Sequence, residues 1–297
     1  VDVNTNPDNP VIGFRSFGAN PLKAGTCGSA FAQGLEEQGV MSVIKHFPGH
    51  GDTAVDSHLG LPVLPHGQER LYEVELEPFG RLVKMGIPAV MSSHLHVPVW
   101  DSEENRSVTH SSTIIQNQLR EYLGFQGLLF TDALDMKGVR SYGEPADINL
   151  KALLAGHDAL LFCVDVPGTI DLIKQAIQEG QITEAEIDRR VTRVLAAKYF
   201  YIVQEKEFTS LNEEKSLLLK KVGKRALKWV KGKREDVPSY SEESSLFVLM
   251  DIEKADQSEL AHHQLSLTGK GSKAYEVLTF LPKEAKYVTL NGRSEGE

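Results

Sequence analysis

The chain has 297 residues, enough to bury a large core in one or two domains. A composition that is 41% hydrophobic and 25% charged, with no apolar run of membrane-spanning length, excludes a disordered chain and a transmembrane helix. The net charge of −9 falls entirely on residues 1–204, with 16 Lys and Arg against 25 Asp and Glu, and this argues against nucleic acid as a ligand.

Val1-Asp2-Val3-Asn4 has no initiator Met and no signal-peptide pattern. It reads as the end of a strand, so the N-terminus is expected to be cut, and nothing in it fixes the compartment, bacterial cytoplasm or exported. Asn6-Pro7-Asp8-Asn9-Pro10 is turn chemistry. In the same loop Arg15 lies between Phe14 and Phe17, flanked by Gly13 and Gly18, where a forked donor could be held rigidly. Residues 22–38 read as a helix ending near Gly39.

Met41-Ser42-Val43-Ile44 is a short apolar run, expected to be a buried strand that delivers Lys45 and His46 to its C-terminal end. Pro48, Gly49 and Gly51 then break the chain into a loop that ends in Asp56-x-His58. Titratable groups on a glycine-flexed loop after a buried strand are typical of ligand-facing loops in α/β barrels.

Residues 67–86 form an amphipathic helical stretch, with Leu71, Val74, Leu76, Phe79, Leu82 and Val83 as core candidates. A second strand runs from Ile87 to His94, followed by Leu95-His96-Val97-Pro98. Residues 112–123 are helical and Gly124 caps them. Gly127-Leu128-Leu129-Phe130-Thr131-Asp132 is a strand ending in a carboxylate. A short helix over 147–155, a strand over 158–163 and a helix over 167–179 opened by Pro167 follow. Thr183-x-x-Glu186 is a capping box before a helix that reaches about Val203.

Strand and helix alternate, and the apolar, non-alternating strands predict a parallel sheet. Asn4, Lys45, His46, His94 and Asp132 fall at strand C-termini, the ligand face of such sheets. No G-x-G-x-x-G follows a strand, which disfavours a dinucleotide fold. Five strands are expected where a closed (β/α)₈ TIM-type barrel has eight, so the N-terminal strands are expected to be missing. Residues 1–204 are read as this partial barrel and 205–212 as a linker. Residues 213–297 are read as the start of a second α/β domain: a Lys-rich helix over 213–232, a buried strand over 245–251, and weaker strands at 275–281 and 287–290. The basic cluster from Lys220 to Arg234 suits a solvated helix face. Cys27 and Cys163 follow no metal or disulfide spacing and read as unpaired thiols.

Two carboxylates and a proton donor suggest glycoside hydrolysis. Asp132, closing a buried strand, can be held as a nucleophile. An Asp that accepts from one nitrogen of His58 would set its tautomer, leaving the other to protonate a leaving group and later to deprotonate water. The residues Asp2-Val3-Asn4-Thr5-Asn6-Pro7 with Arg15-Ser16-Phe17-Gly18, the Lys45–His58 loop, and Thr131-Asp132-Ala133-Leu134-x-Met136 resemble the bacterial β-N-acetylhexosaminidases of glycoside hydrolase family three. The likeness runs from Val1 to about Val203 and weakly through Arg225–Lys231. Lys45-His46-Phe47 is shared with the wider family, and Asp56-x-His58 marks the hexosaminidase branch.

The resemblance implies a retaining mechanism in which Asp132 is the nucleophile, His58 the general acid/base and Asp56 its partner. Arg15, Lys45 and His46 match residues that hydrogen-bond hydroxyls of the terminal sugar. Asp135 is the less favoured nucleophile, and His50 and His94 are supporting residues. The family's substrate-binding Asp on an early strand has no counterpart. The implied substrate is N-acetylglucosamine β-linked to muramic or anhydromuramic acid in cell-wall fragments, with no cofactor and no metal. Alternatives are a β-glucosidase-type or phosphorylase relative, a metal-dependent amidohydrolase using His94-x-His96, His46, Lys45 and Asp132, or a catalytically dead sugar-binding module. The amidohydrolase class places its His-x-His on the first strand, and the retention of Asp56, His58 and Asp132 argues against a dead module.

Overall fold

A computed structural model describes residues 1–54, 60–140 and 143–203, positions 215, 217, 218, 221 and 222, and the strands 246–251 and 286–291. The chain divides into two compact units, Val1–Phe208 and Thr209–Glu297.

The first unit holds a four-stranded sheet of β1 (Val43–Phe47), β2 (Ala89–Ser92), β3 (Leu128–Ala133) and β4 (Ala159–Leu161). The strands lie in the order β1-β2-β3-β4 and every pairing is parallel. Each crossover carries helix, as parallel neighbours require. A doubly wound sheet would reverse its strand order partway, and this one does not.

The strands form where the sequence is apolar on both faces. Ile44, Val90 and Leu129 are buried and pack in a common core with Phe47, Leu71, Leu76, Phe79 and Leu82. Phe47 meets Phe79 edge to face, with ring centroids 5.6 Å apart, and this locks β1 to the helix Leu76–Lys84. The helix Pro21–Glu37 packs on the same element. The single helix expected over 67–86 is instead Gln68–Arg70, a π-helical turn Leu71–Glu75, and Leu76–Lys84. Pro78 has no N–H to give the carbonyl one turn back, and the wider turn ahead of it absorbs that loss.

Local signals account for most other boundaries. Asn20 caps Pro21–Glu37 by accepting from the Lys23 N–H. Thr183 caps Glu184–Lys198 through the Glu186 N–H, while the Glu186 carboxylate turns to Arg189 and Arg190 rather than back to the cap. Pro167 is one residue further in than expected, because Asp165 caps the helix Val166–Gln178 through the Gly168 N–H.

Two expectations need correction. Asp2-Val3-Asn4 belongs to no strand, so the described residues of the first unit hold four strands rather than five. Its backbone is committed to loops: the Asn4 N–H donates to Gly18 O and Ser16 Oγ donates to Asp2 O. The first strand begins at Val43 rather than Met41 and runs through Lys45, His46 and Phe47.

In the second unit, Leu246–Asp251 and Lys286–Asn291 pair in parallel. The described positions between 215 and 222 are helical. The 205–212 linker and the 275–281 strand lie outside the described residues.

Candidate active site

His46, His94 and Asp132 stand at the C-terminal ends of β1, β2 and β3, and Asp2 fixes the first of them. Asp2 is buried. Its Oδ1 accepts the main-chain N–H of His46 at 3.0 Å and that of His50 at 2.7 Å, while Oδ2 lies 2.8 Å from His46 Nδ1. A carboxylate can only accept, so the Nδ1 proton points at Asp2 and Nε2 faces the other way. There it stands 4.0 Å from Asp132 Oδ2.

Burial by itself would raise the Asp2 carboxyl. The charge and hydrogen bond of His46, with the His50 N–H, outweigh it and hold Asp2 well below the ordinary carboxylate range. His50 is pushed below its usual value by burial, against the pull of Asp2. Its Nδ1 lies 2.7 Å from Thr53 Oγ1. The peptide bonds Lys45–His46 and Phe47–Pro48 are cis.

Asp132 is partly exposed at the end of β3. Its Oδ1 accepts from the Ala133 N–H at 2.8 Å, which fixes the carboxylate plane. The carbonyl of Ala133 in turn accepts from His94 Nε2 at 2.9 Å, and His94 Nδ1 meets Thr109 Oγ1 at 2.8 Å. His94 therefore braces the residue after Asp132 from the neighbouring strand. Asp135, three residues on, is exposed, and its carbonyl accepts from Arg140 Nε.

Lys45, His46, Asp2 and Arg15 all line one cavity of about 340 Å³ whose apolar wall includes Phe31 and Val43. Arg15 is not clamped between rings, as its sequence setting suggested. It ends a short 3-10 turn, is exposed, and donates from Nη1 to Val11 O at 3.2 Å, while Phe14 is 96% exposed. The expected acid/base pair, Asp56 and His58, lies outside the described residues.

The residues of the metal-centre alternative are held mainly by protein partners. His96 Nδ1 is taken by Arg106 O at 2.9 Å, and His94 is spent on Thr109 and Ala133. Among the described residues, the ligand atoms that gather within 4.8 Å of one another belong to Asp52, His66 and Glu75, not to the proposed set.

Sequence reasoning missed Asp2. Its signal was present: an acidic residue between two valines in an extended, apolar stretch has no solvent to satisfy it and must find donors. It also missed Gly51, where an added Cβ would lie 2.0 Å from Val3 O and 2.8 Å from Asn4 N. The β1 exit loop thus runs flush against the segment that carries Asp2.

Residues 1–197 match the family model described as Glycosyl hydrolase family 3 N terminal domain. The chain is 34% identical over 217 residues to Beta-hexosaminidase A of Pseudoalteromonas piscicida, covering 67% of this chain and 36% of that protein. It is 35% identical over 208 residues to Beta-hexosaminidase LpqI of Mycobacterium bovis (strain BCG / Pasteur 1173P2), covering 67% and 52%. The chain therefore spans from about a third to about half of the length of these relatives. Among solved structures, a glycoside hydrolase family 3 beta-N-acetylglucosaminidase from Paenibacillus sp. str. FPU-7 aligns with a TM-score of 0.81 at 29% identity, over 98% of this chain and 55% of that one.

Proposed function

The chain belongs to glycosyl hydrolase family 3, and from that premise we propose that it is the catalytic part of a retaining exo-β-N-acetylglucosaminidase. The observation that carries this reading is the pairing of Asp132 with His46 across the ends of β3 and β1. One Asp132 oxygen is pinned by the Ala133 N–H, and the other faces His46 Nε2 at 4.0 Å. A carboxylate held in this way has one oxygen free to attack along a fixed line.

In the first step Asp132 Oδ2 attacks the anomeric carbon of the terminal N-acetylglucosamine. The bond from that carbon to the departing oxygen breaks, and His58 gives that oxygen a proton. In the second step His58 takes a proton from water, the water oxygen bonds to the anomeric carbon, and Asp132 leaves as carboxylate. Two inversions give net retention. Asp56 orients His58, and Lys45, His46 and Arg15 hold the sugar hydroxyls. These three roles are what the family resemblance implies; the cavity that the three residues share is not lined by Asp132. The sugar is assigned from the names of the relatives, and a cell-wall fragment as substrate is what the family resemblance implies.

The unreversed strand order and the ligand groups at strand C-termini support a (β/α)₈-type architecture for the domain to which residues 1–204 belong, with 213–297 part of a second domain.

Trapping tests the covalent step. A fluorosugar donor of the N-acetylglucosamine series, incubated with the full-length enzyme and followed by peptide mass spectrometry, should label the peptide holding Asp132. Asp132→Ala should abolish the label and lower turnover by several orders of magnitude. A label on Asp135 or Asp56 would overturn the assignment.

A further inference from the structure

Two non-glycine residues among the described ones have a left-handed backbone, Asn105 at φ 62° and Phe162 at φ 53°. Asn adopts this region readily, because its short amide can bond locally, but a bulky side chain there is a steric outlier. Phe162 also leaves its ring 72% exposed. It therefore carries two costs at one position, a strained backbone and an aromatic face in water, and a glycine would remove both.

Its place in the fold is specific. Phe162 directly follows β4. Leu161 pairs with Ala133, its carbonyl accepts from the Leu134 N–H at 2.9 Å, and its own N–H donates to Thr131 Oγ1 at 3.0 Å. Asp132 lies between those anchor points on β3, so Phe162 leaves the sheet one residue beyond the pairing that flanks the carboxylate. Leu160 and Cys163 both pack against the buried cluster of Leu134, Val139, Ile148 and Ala152. A fully extended chain would put residues 160 and 163 on opposite faces. The left-handed turn at Phe162 puts both on this cluster and leaves the ring outside it. Asp165 then caps the helix Val166–Gln178 by accepting from the Gly168 N–H at 3.0 Å. Held on both sides, the ring is presented from a fixed backbone.

An exposed ring on a pinned backbone is preorganised for the C–H face of a sugar. In the proposed reaction the terminal sugar is assigned to Lys45 and His46 on β1, with Arg15. The strand order β1-β2-β3-β4 puts Phe162 on the opposite flank of β3 from β1. We propose that Phe162 is the platform on which the leaving-group sugar stacks, so that this ring selects substrates whose aglycone is itself a sugar. The inference rests on the reading of Asp132 as the nucleophile of an exo-acting N-acetylglucosaminidase.

The test uses the full-length enzyme and compares kcat/KM on N,N′-diacetylchitobiose, whose leaving group is a sugar, and on N-acetyl-β-glucosaminyl fluoride, whose leaving group offers no face to stack. Phe162→Gly should lower the disaccharide value about tenfold and the fluoride value by less than about twofold, while Tm holds or rises because the strain is gone. Phe162→Asn, which also tolerates the left-handed backbone, should do the same and serves where the glycine variant is poorly folded. Phe162→Tyr keeps a ring and should stay within about twofold of wild type on both substrates. Equal losses on the two substrates, no loss on either, or a Phe162→Tyr variant as impaired as Phe162→Gly would overturn the proposal. A Tm lowered by several degrees in both the glycine and the asparagine variants would also overturn it, by showing the ring to be part of a packed core. Asp132→Ala is measured beside them on the fluoride. If it is inactive and Phe162→Gly does not separate the two substrates, the platform fails alone. If Asp132→Ala turns over the fluoride at the wild-type rate, the nucleophile assignment fails and takes this claim with it.

Discussion

Asp2 holds His46 twice, through the main-chain N–H at 3.0 Å and through ring Nδ1 at 2.8 Å. One carboxylate therefore sets both the position of the backbone at the end of β1 and the direction in which the imidazole presents Nε2. The same Oδ1 also takes the His50 N–H at 2.7 Å, so the exit loop is anchored to the same point. An imidazole fixed in this way can meet Asp132 or a sugar hydroxyl without first losing rotamer entropy.

Removing Asp2 should be costly in stability as well as activity. Asp2→Ala leaves a buried His46 ring N–H and two main-chain N–H groups without their acceptor, a change that costs about 3–5 kcal/mol when one member of a buried pair is deleted. Denaturant unfolding should show that loss. The pH dependence has a definite sign. The folded carboxyl is held below its ordinary value, so the unfolded chain binds the proton more readily. The stabilisation is present above about pH 4, where the unfolded carboxyl is ionised, and is lost as pH falls below it. Asp2→Asn should flatten this acid limb. An unchanged acid limb would show that Asp2 is not its source.

Two buried histidines act in a higher window. His157 donates from Nδ1 to Ala152 O at 2.9 Å and so, being neutral, accepts from Ser92 Oγ at Nε2 across 2.7 Å, and burial pushes it down to about 3. Burial, with His94 nearby, pushes His110 down to about 4. Both stay neutral in the fold while the unfolded chain takes up protons below about pH 6.5. Stability should therefore be full above that pH and decline toward pH 4, by about 1.4 kcal/mol per pH unit for each histidine. Urea unfolding at several pH values on wild type and His157→Gln should show a shallower slope in the variant. Identical slopes would remove His157 from the account.

Gly51 gives a steric prediction. A methyl group there would lie 2.0 Å from Val3 O, and backbone cannot yield as a flexible side chain would. Gly51→Ala should push the 2–4 segment away from the loop, costing about 1–3 kcal/mol in stability. Because Asp2 lies in that segment, kcat/KM should fall by more than Tm alone explains. A variant with wild-type kcat/KM would mean that the segment moves without disturbing His46.

Much of the fold was legible because its signals are local. Apolar runs at Val43-Ile44, Val90-Met91 and Leu128-Leu129 marked the strands, and Gly39 and Thr183 marked helix ends. The placement of Asp132 beside His46 followed from both being at strand C-termini in a parallel sheet. That Asp2 needs donors could be read from its apolar setting, but which donors could not, because they lie 44 and 48 positions away and nothing near it in sequence names them. The same holds for Gly51, whose constraint comes from Val3 O rather than from a turn. The rigid setting expected for Arg15 failed because Phe14 points to solvent, an orientation that the run of glycines and aromatics left open.

The leaving-group series is the sharpest test of the assigned chemistry. A sugar alcohol cannot depart without a proton, whereas a nitrophenolate can. If His58 is the acid, His58→Gly should lower kcat/KM for disaccharides by about 10²–10⁴-fold and affect activated aryl glycosides only mildly. The second step still needs a base to activate water, so the glycosyl-enzyme should accumulate in this variant and release the aryl group in a burst. Asp56→Asn should reproduce part of the effect, because an amide no longer holds the imidazole in the right tautomer or raises its pKa. Equal losses for aryl and sugar leaving groups would rule out His58 as the acid. Running the wild type with phosphate in place of water separates two fates of the same intermediate. A neutral or cationic histidine repels phosphate less than a glutamate at that position would. A wild type many times faster with phosphate would make the enzyme a phosphorylase, with Asp132 and His58 in unchanged roles. Indifference to phosphate would leave water as the acceptor and hydrolysis as the reaction.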